Sequence, residues 1–128
     1  MDVICFRAVS IITPETLAEY VTFVEDPGRR WLFYYVTVQD VARAFRLALE
    51  ASDPSFSILF LTAADTSRPE PTLEWYPERV GPLPEVIDQP LYDRNPRASV
   101  FSSAKARAVL GWEPTSNYLD LREGSVRP

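Results

Sequence analysis

The chain has 128 residues, 46% hydrophobic and 24% charged, the balance of one globular domain with a core. Its net charge of −5 excludes the basic face that a nucleic acid requires, and no apolar run approaches the ~18 residues of a membrane span. The absence of histidine and the single cysteine exclude His-based zinc sites, Ser–His or Cys–His nucleophile pairs and an internal disulfide.

Residues 2–10 read as a strand. VICF is an apolar run of the kind covered on both faces, with Cys5 as a buried thiol and Arg7 interrupting its end. Thr13-Pro14-Glu15 has the form of a helix start, with Thr13 as N-cap and Pro14 at the first helical position. Leu17, Tyr20, Val21 and Val24 follow at helical spacing, and Asp26-Pro27-Gly28 ends the run. Residues 31–38, aromatic and β-branched, read as a second extended segment.

Thr37-Val38-Gln39-Asp40 then has the form of a capping box. The Thr37 hydroxyl accepts from the Asp40 amide, and the Asp40 carboxylate reaches back to the Thr37 amide. Val41, Ala44, Phe45, Ala48 and Leu49 give the next helix its apolar face, opposite Arg43, Arg46 and Glu50. Ser52-Asp53-Pro54 stops it, and residues 57–61, SILFL, read as another short apolar strand.

Beyond residue 63 the pattern weakens. Residues 72–76 fit a helical turn limited by Pro77, and 80–91, with Pro82, Pro84 and Pro90, read as extended. LYDRNPR, residues 91–97, is the densest polar cluster. The last helix spans about 103–110, with Ser102 as N-cap and Gly111 at C′. Little remains to bury after Asp120, so residues 1–120 read as one domain and 121–128 as a frayed tail. Alternating strands and helices predict an α/β fold with parallel strands. The N-terminus lacks the basic flank and apolar stretch of a signal peptide, so a reducing cytoplasm is the expected compartment.

Three stretches carry a resemblance. FRAVSIITP, residues 6–14, resembles a strand ending in Leu-Arg-Pro and running on to Tyr-Gly-Pro; Arg7 and Pro14 match, while Ala8 and Thr13 replace a proline and a glycine. YVTVQDVARA, residues 35–44, resembles Tyr-Val-x-Val-x-Asp-Val-Ala, and SILFLTAAD stands where a Phe-Asn-Ile-Ala strand would be. Lys105-Ala106-Arg107 with Leu110-Gly111-Trp112-Glu113-Pro114 resembles a closing Lys-Ala-x-x-x-Leu-Gly-Trp-x-Pro. In that order, over residues 3–114, these resemble the C-terminal, substrate-binding third of the extended short-chain dehydrogenase/reductases, the NAD-dependent epimerase/dehydratase family.

The resemblance implies partial Rossmann-type parallel strands plus a small substrate-binding lobe, without the N-terminal dinucleotide-binding half. The family's glycine-rich turn is missing, since no two of the four glycines are close together. Its catalytic Tyr-x-x-x-Lys is missing too: none of the six tyrosines has a lysine four residues later. By itself the chain is therefore not expected to be a dehydrogenase or epimerase, nor to hold NAD(P) or a metal. Three functions stay open: a truncated homologue binding a small molecule or partner, a repurposed cofactor-independent lyase, isomerase or cyclase, and a piece of a full-length enzyme. A homodimer or a partner chain is expected to cover the sheet left open.

Candidate site residues follow. Tyr34, Tyr35 and Asp93 are the groups available for acid–base work, although the two tyrosines also fit core packing. Arg7 suits either a buried ion pair or an anion, and Arg94 and Arg97 offer guanidinium forks to phosphates or carboxylates, or a solvated loop. Trp75 is a packing residue that could also line a substrate pocket. Asp40 is fully accounted for as a cap.

Overall fold

The computed structural model describes the backbone of residues 2–126 and side chains through residue 124. Its strands are β1 (Val3–Ala8), β2 (Ile11–Ile12), β3 (Val36–Thr37) and β4 (Phe56–Leu61). Its helices are α1 (Leu17–Glu25), α2 (Val38–Glu50), α3 (Thr72–Arg79), α4 (Gln89–Arg94), α5 (Ala104–Leu110) and α6 (Tyr118–Val126). The fold is mixed α/β with parallel pairing, as the alternation predicts. β1 runs parallel to β4, with Cys5 opposite Ile58 and Arg7 opposite Phe60, and β2 runs parallel to β3. The Val36 amide donates to the Ser10 carbonyl at 2.9 Å, which ties the second pair to the end of the first.

Side chains alternate across a strand. Ile4 and Phe6 of β1, with Leu59 and Leu61 of β4, pack under α2 and α5 against Val41 and Trp112. A second core gathers Val24 of α1, Phe33, Tyr35, Trp75 and Tyr118. The opposite face of the β1–β4 pair is bare at Cys5, which is exposed, and at Phe56, which is 67% exposed. Cys5 is thus not the buried thiol expected of a strand covered on both faces, because helices cover only one.

The same narrow sheet corrects the reading of α2. Val41 and Ala44 are buried, but Phe45 and Leu49 are 56% and 89% exposed. Among the described residues no strand pairs beyond β1 for them to cover; the Phe45 ring meets that of Phe6 edge-on at 4.9 Å.

Other differences have local causes. Only Val36–Thr37 of the expected strand at 31–38 pairs, because Phe33 sits at φ 53, a left-handed turn that breaks the extended run. α1 begins at Leu17, after a turn in which Thr13 and Thr16 exchange amide and hydroxyl hydrogen bonds, so Thr13 caps the turn and not the helix. α3 continues past Pro77 to Arg79, and Asp88 caps a short helix, α4, that begins within the stretch expected to be extended. Gly111 adopts φ 68 at the end of α5, as expected; the helix begins at Ala104 with Ser103 and not Ser102 at the N-cap, although the Ser102 hydroxyl accepts from the Ala104 amide at 3.1 Å.

Residues 121–126, expected to fray, lie in α6. Leu121 packs on the first core, and Arg122 pairs with Glu25 of α1 at 3.2 Å; apolar burial and that pair hold the helix down. Residues 127 and 128 of the expected tail lie outside the described residues. Among the described residues, no helix is long and apolar enough to cross a membrane.

Candidate functional site

β4 ends at Leu61, and the chain leaves its carboxyl end through Thr62, Ala63 and Ala64. The carboxyl ends of parallel strands are where open α/β sheets offer a crevice. Here a cavity of about 470 Å³ opens against those three residues. It shares Leu91, Ser99, Phe101 and Ser102 with a second cavity of about 560 Å³, so the two form one cleft. The larger part lies between Leu73 and Tyr76 of α3, Leu91 and Tyr92 of α4, and the segment around Val86.

Hydroxyl groups hold the cleft floor in place. The Thr62 and Ser99 hydroxyls lie 3.1 Å apart, and the Ser103 hydroxyl accepts from the Thr62 amide at 3.1 Å. The Thr72 hydroxyl donates to the Ala98 carbonyl at 2.6 Å, and the Tyr92 phenol donates to the Ser99 carbonyl at 3.1 Å. α3 and α4 are thereby fastened to the segment before α5. Phe101 stacks on Phe60 of β4 at 5.7 Å and meets the Tyr34 ring edge-on at 5.5 Å. Phe101, in the wall shared by both halves of the cleft, is therefore backed by two packed aromatic rings.

The charge around the cleft is one-sided. The larger cavity is lined by Glu85 and Asp88 and by no lysine or arginine. In the smaller one, Arg107 is paired with Glu113 at 3.0 Å. Burial, and then the Asp88 charge, push the Tyr92 phenol above its usual range, so it stays protonated and donates. The cleft can enclose a mostly apolar molecule and offer it hydroxyl groups. Among the described residues, no three His, Cys, Asp or Glu side chains gather as a metal-ligand set.

The sequence candidates fall elsewhere. Tyr35 is buried in the first core, its phenol donating to Asp65 at 2.5 Å; burial, then Asp65, push it well above the usual phenol range, which removes it as a base. Tyr34 backs Phe101 and meets the Trp31 ring at a tilt, with centroids 4.4 Å apart, but lines neither cavity. Asp93 is exposed on α4 beside Gln89, and Arg94 is exposed next to it. Arg7 lies exposed on the bare sheet face, 5.6 Å above the Phe60 ring.

Arg97 spends its guanidinium on Asp65 and on the Arg68 and Thr66 carbonyls. Trp75 is 2% exposed and packs on Phe33 at 5.0 Å. None of these residues lines either part of the cleft. The residues that do, Thr62, Tyr92, Ser99 and Phe101, escaped the sequence reading. Two signals pointed to them: Thr62 follows an apolar strand directly, and Tyr92 opens the polar cluster at 91–97.

Two buried carboxylates hold the frame around the site. The Thr37 hydroxyl accepts from the Asp40 amide at 3.3 Å, as a capping box requires, but the Asp40 carboxylate does not return to Thr37. It takes the Thr115 amide at 3.0 Å, the Thr115 hydroxyl at 2.8 Å and the Arg43 guanidinium at 2.7 Å. Burial alone would raise Asp40, yet these donors outweigh it and hold its carboxyl below the usual range. Asp65 takes the Tyr35 phenol, Arg97 and the Tyr118 amide, joining the first core to the segment between α4 and α5 and to the start of α6.

Compared with known proteins, the chain matches no family model, no curated protein and no solved structure.

Proposed function

We propose that the chain is a homologue of the C-terminal region of the NAD-dependent epimerase/dehydratase family. It binds a small molecule in the cleft between Tyr76, Tyr92 and Phe101 and uses no NAD(P). The observation that carries this reading is the position of the cleft. It opens at the carboxyl end of β4, in a parallel pair built from the two stretches that resemble the family's last sheet strands. The parallel register of Val3–Ala8 on Phe56–Leu61, with α2 crossing beneath, supports a partial Rossmann-type arrangement with a small lobe. The alternative of a cofactor-independent enzyme needs its acid–base groups around one enclosed space. Tyr34, Tyr35 and Asp93 are dispersed, so binding is the better supported reading.

The bare outer face at Cys5 and Phe56 supports the second part of the proposal: a second copy or a partner chain covers it. In a longer protein of the family, the dinucleotide-binding half would take that place.

Amide chemical-shift mapping with a small-molecule fragment set tests the cleft, with NADH and NADPH in parallel. Shifts centred on Ser99, Phe101 and Ser102, with no saturable response to either dinucleotide, are expected. Fragments that leave these amides unmoved, or a micromolar Kd for NAD(P)H, overturn the reading.

A further inference from the structure

Resting on that reading, we propose a ligand class for the cleft: an organic cation with an apolar body, such as an arylalkyl ammonium, and not a phosphate-bearing or carboxylate-bearing molecule. The larger cavity, about 560 Å³, is of a size that encloses small organic ligands. Its walls are Leu73, Tyr76, Val86, Leu91, Val100 and Phe101, which suit hydrocarbon or an aromatic ring. Its charged groups are Glu85 and Asp88, both carboxylates.

Arg94, two residues after Tyr92, is exposed on α4 and lines neither cavity, and other arginines near in the chain are engaged elsewhere. Arg30 donates to the Val80 carbonyl at 3.1 Å, and Arg79 donates to the Pro27 carbonyl at 2.7 Å. Arg107, in the adjoining cavity, is paired with Glu113. An anion entering here meets two like charges and finds no uncommitted guanidinium on the lining, whereas phosphate recognition uses such forks. An ammonium meets opposite charge at Glu85 and Asp88 and three aromatic rings, Tyr76, Tyr92 and Phe101, a residue type that attracts cations through its ring quadrupole. One oxygen of Asp88 accepts the Leu91 amide at 3.1 Å, which anchors that carboxylate at the start of α4 beside Tyr92. The carboxylates give the direction of selection, and the apolar walls give the affinity.

The test uses three isosteric probes at pH 7: 3-phenylpropylammonium, 3-phenylpropan-1-ol and 3-phenylpropanoate. Affinities come from chemical-shift titration of the full chain. The ammonium is expected to bind about tenfold more tightly than the carboxylate, with the alcohol between them, since each exposed charge pair contributes up to about fivefold. In the Glu85→Gln/Asp88→Asn variant, in which Asn still caps α4, the ammonium should fall to the level of the alcohol while the alcohol is unchanged. Equal binding of all three probes in the cleft, or preference for the carboxylate, overturns the cation assignment and leaves the cleft reading standing. If no probe moves the Ser99 and Phe101 amides, both fail. Loss of alcohol binding in the variant, with its amide spectrum otherwise intact, also overturns the assignment, because it makes the carboxylates structural.

Discussion

The Asp40 carboxylate holds Thr115 by two bonds, one from its amide at 3.0 Å and one from its hydroxyl at 2.8 Å, across 75 residues of sequence. Asp40 stands in the first turn of α2, and Thr115 follows the Leu-Gly-Trp-Glu-Pro turn. The Trp112 indole donates to the Asp40 carbonyl at 2.8 Å beside them. Asp40 thus gives its amide to the Thr37 cap of α2 and fastens the distant end of the domain through its side chain.

Asp40→Asn should destabilise the fold by about 3 kcal/mol, because it removes the charge from a buried pair and leaves Arg43 and the Thr115 amide poorly matched. Thr115→Val should cost about 1 kcal/mol. The double variant should cost clearly less than the sum, since both changes remove the same bond. Urea denaturation of the four proteins reads this, and full additivity would show that the two residues are not coupled.

The Asp40 carboxyl is held below the usual range in the folded state. Such a group contributes stability that is fully present above its unfolded pKa, about 4, and is lost as pH falls through the lower folded value. The wild type should therefore lose stability from about pH 4 downward more steeply than Asp40→Asn. Denaturation midpoints between pH 2 and 7 check this; parallel curves would remove Asp40 as the cause.

Asp65 is the second clasp. Asp65→Asn should cost about 3 kcal/mol and Tyr35→Phe about 1.5 kcal/mol, as a buried charged acceptor loses donors. Tyr35→Phe should leave ligand binding unchanged, because Tyr35 lies in the core and not in the cleft. Thermal melts with a fragment titration separate the two effects; loss of binding at unchanged stability would return Tyr35 to the site.

Gly111 ends α5 at φ 68, with open space where a Cβ would stand. Gly111→Ala should therefore cost about 1 kcal/mol from backbone conformation alone, without a clash. A midpoint shift larger than twice this would point to a contact beyond the turn.

Light scattering at two concentrations should show a dimer or larger assembly of the isolated chain. Phe56→Thr should shift it to monomer. The side chain is 67% exposed, so the folding stability of the subunit should change by about 0.5 kcal/mol or less. A wild-type monomer at both concentrations would remove the second copy and leave a different partner chain.

Local chemistry is what the sequence determined by itself. The apolar runs at VICF and SILFL became β1 and β4, the Thr37 hydroxyl met the Asp40 amide, and Gly111 took the left-handed turn after α5. Each depends on residues a few positions apart, whose sterics and hydrogen bonds act within one turn of chain. Tertiary structure decided what those elements face. Phe45 and Leu49 have helical spacing but no strand to cover, Cys5 lies in an apolar run on a bare face, and the Asp40 carboxylate left its own helix cap for Thr115. The cleft was decided in the same way. Thr62, Tyr92, Ser99 and Phe101 converge only when α3 and α4 are fastened to the end of β4, and spacing along a chain carries no record of such long-range closure.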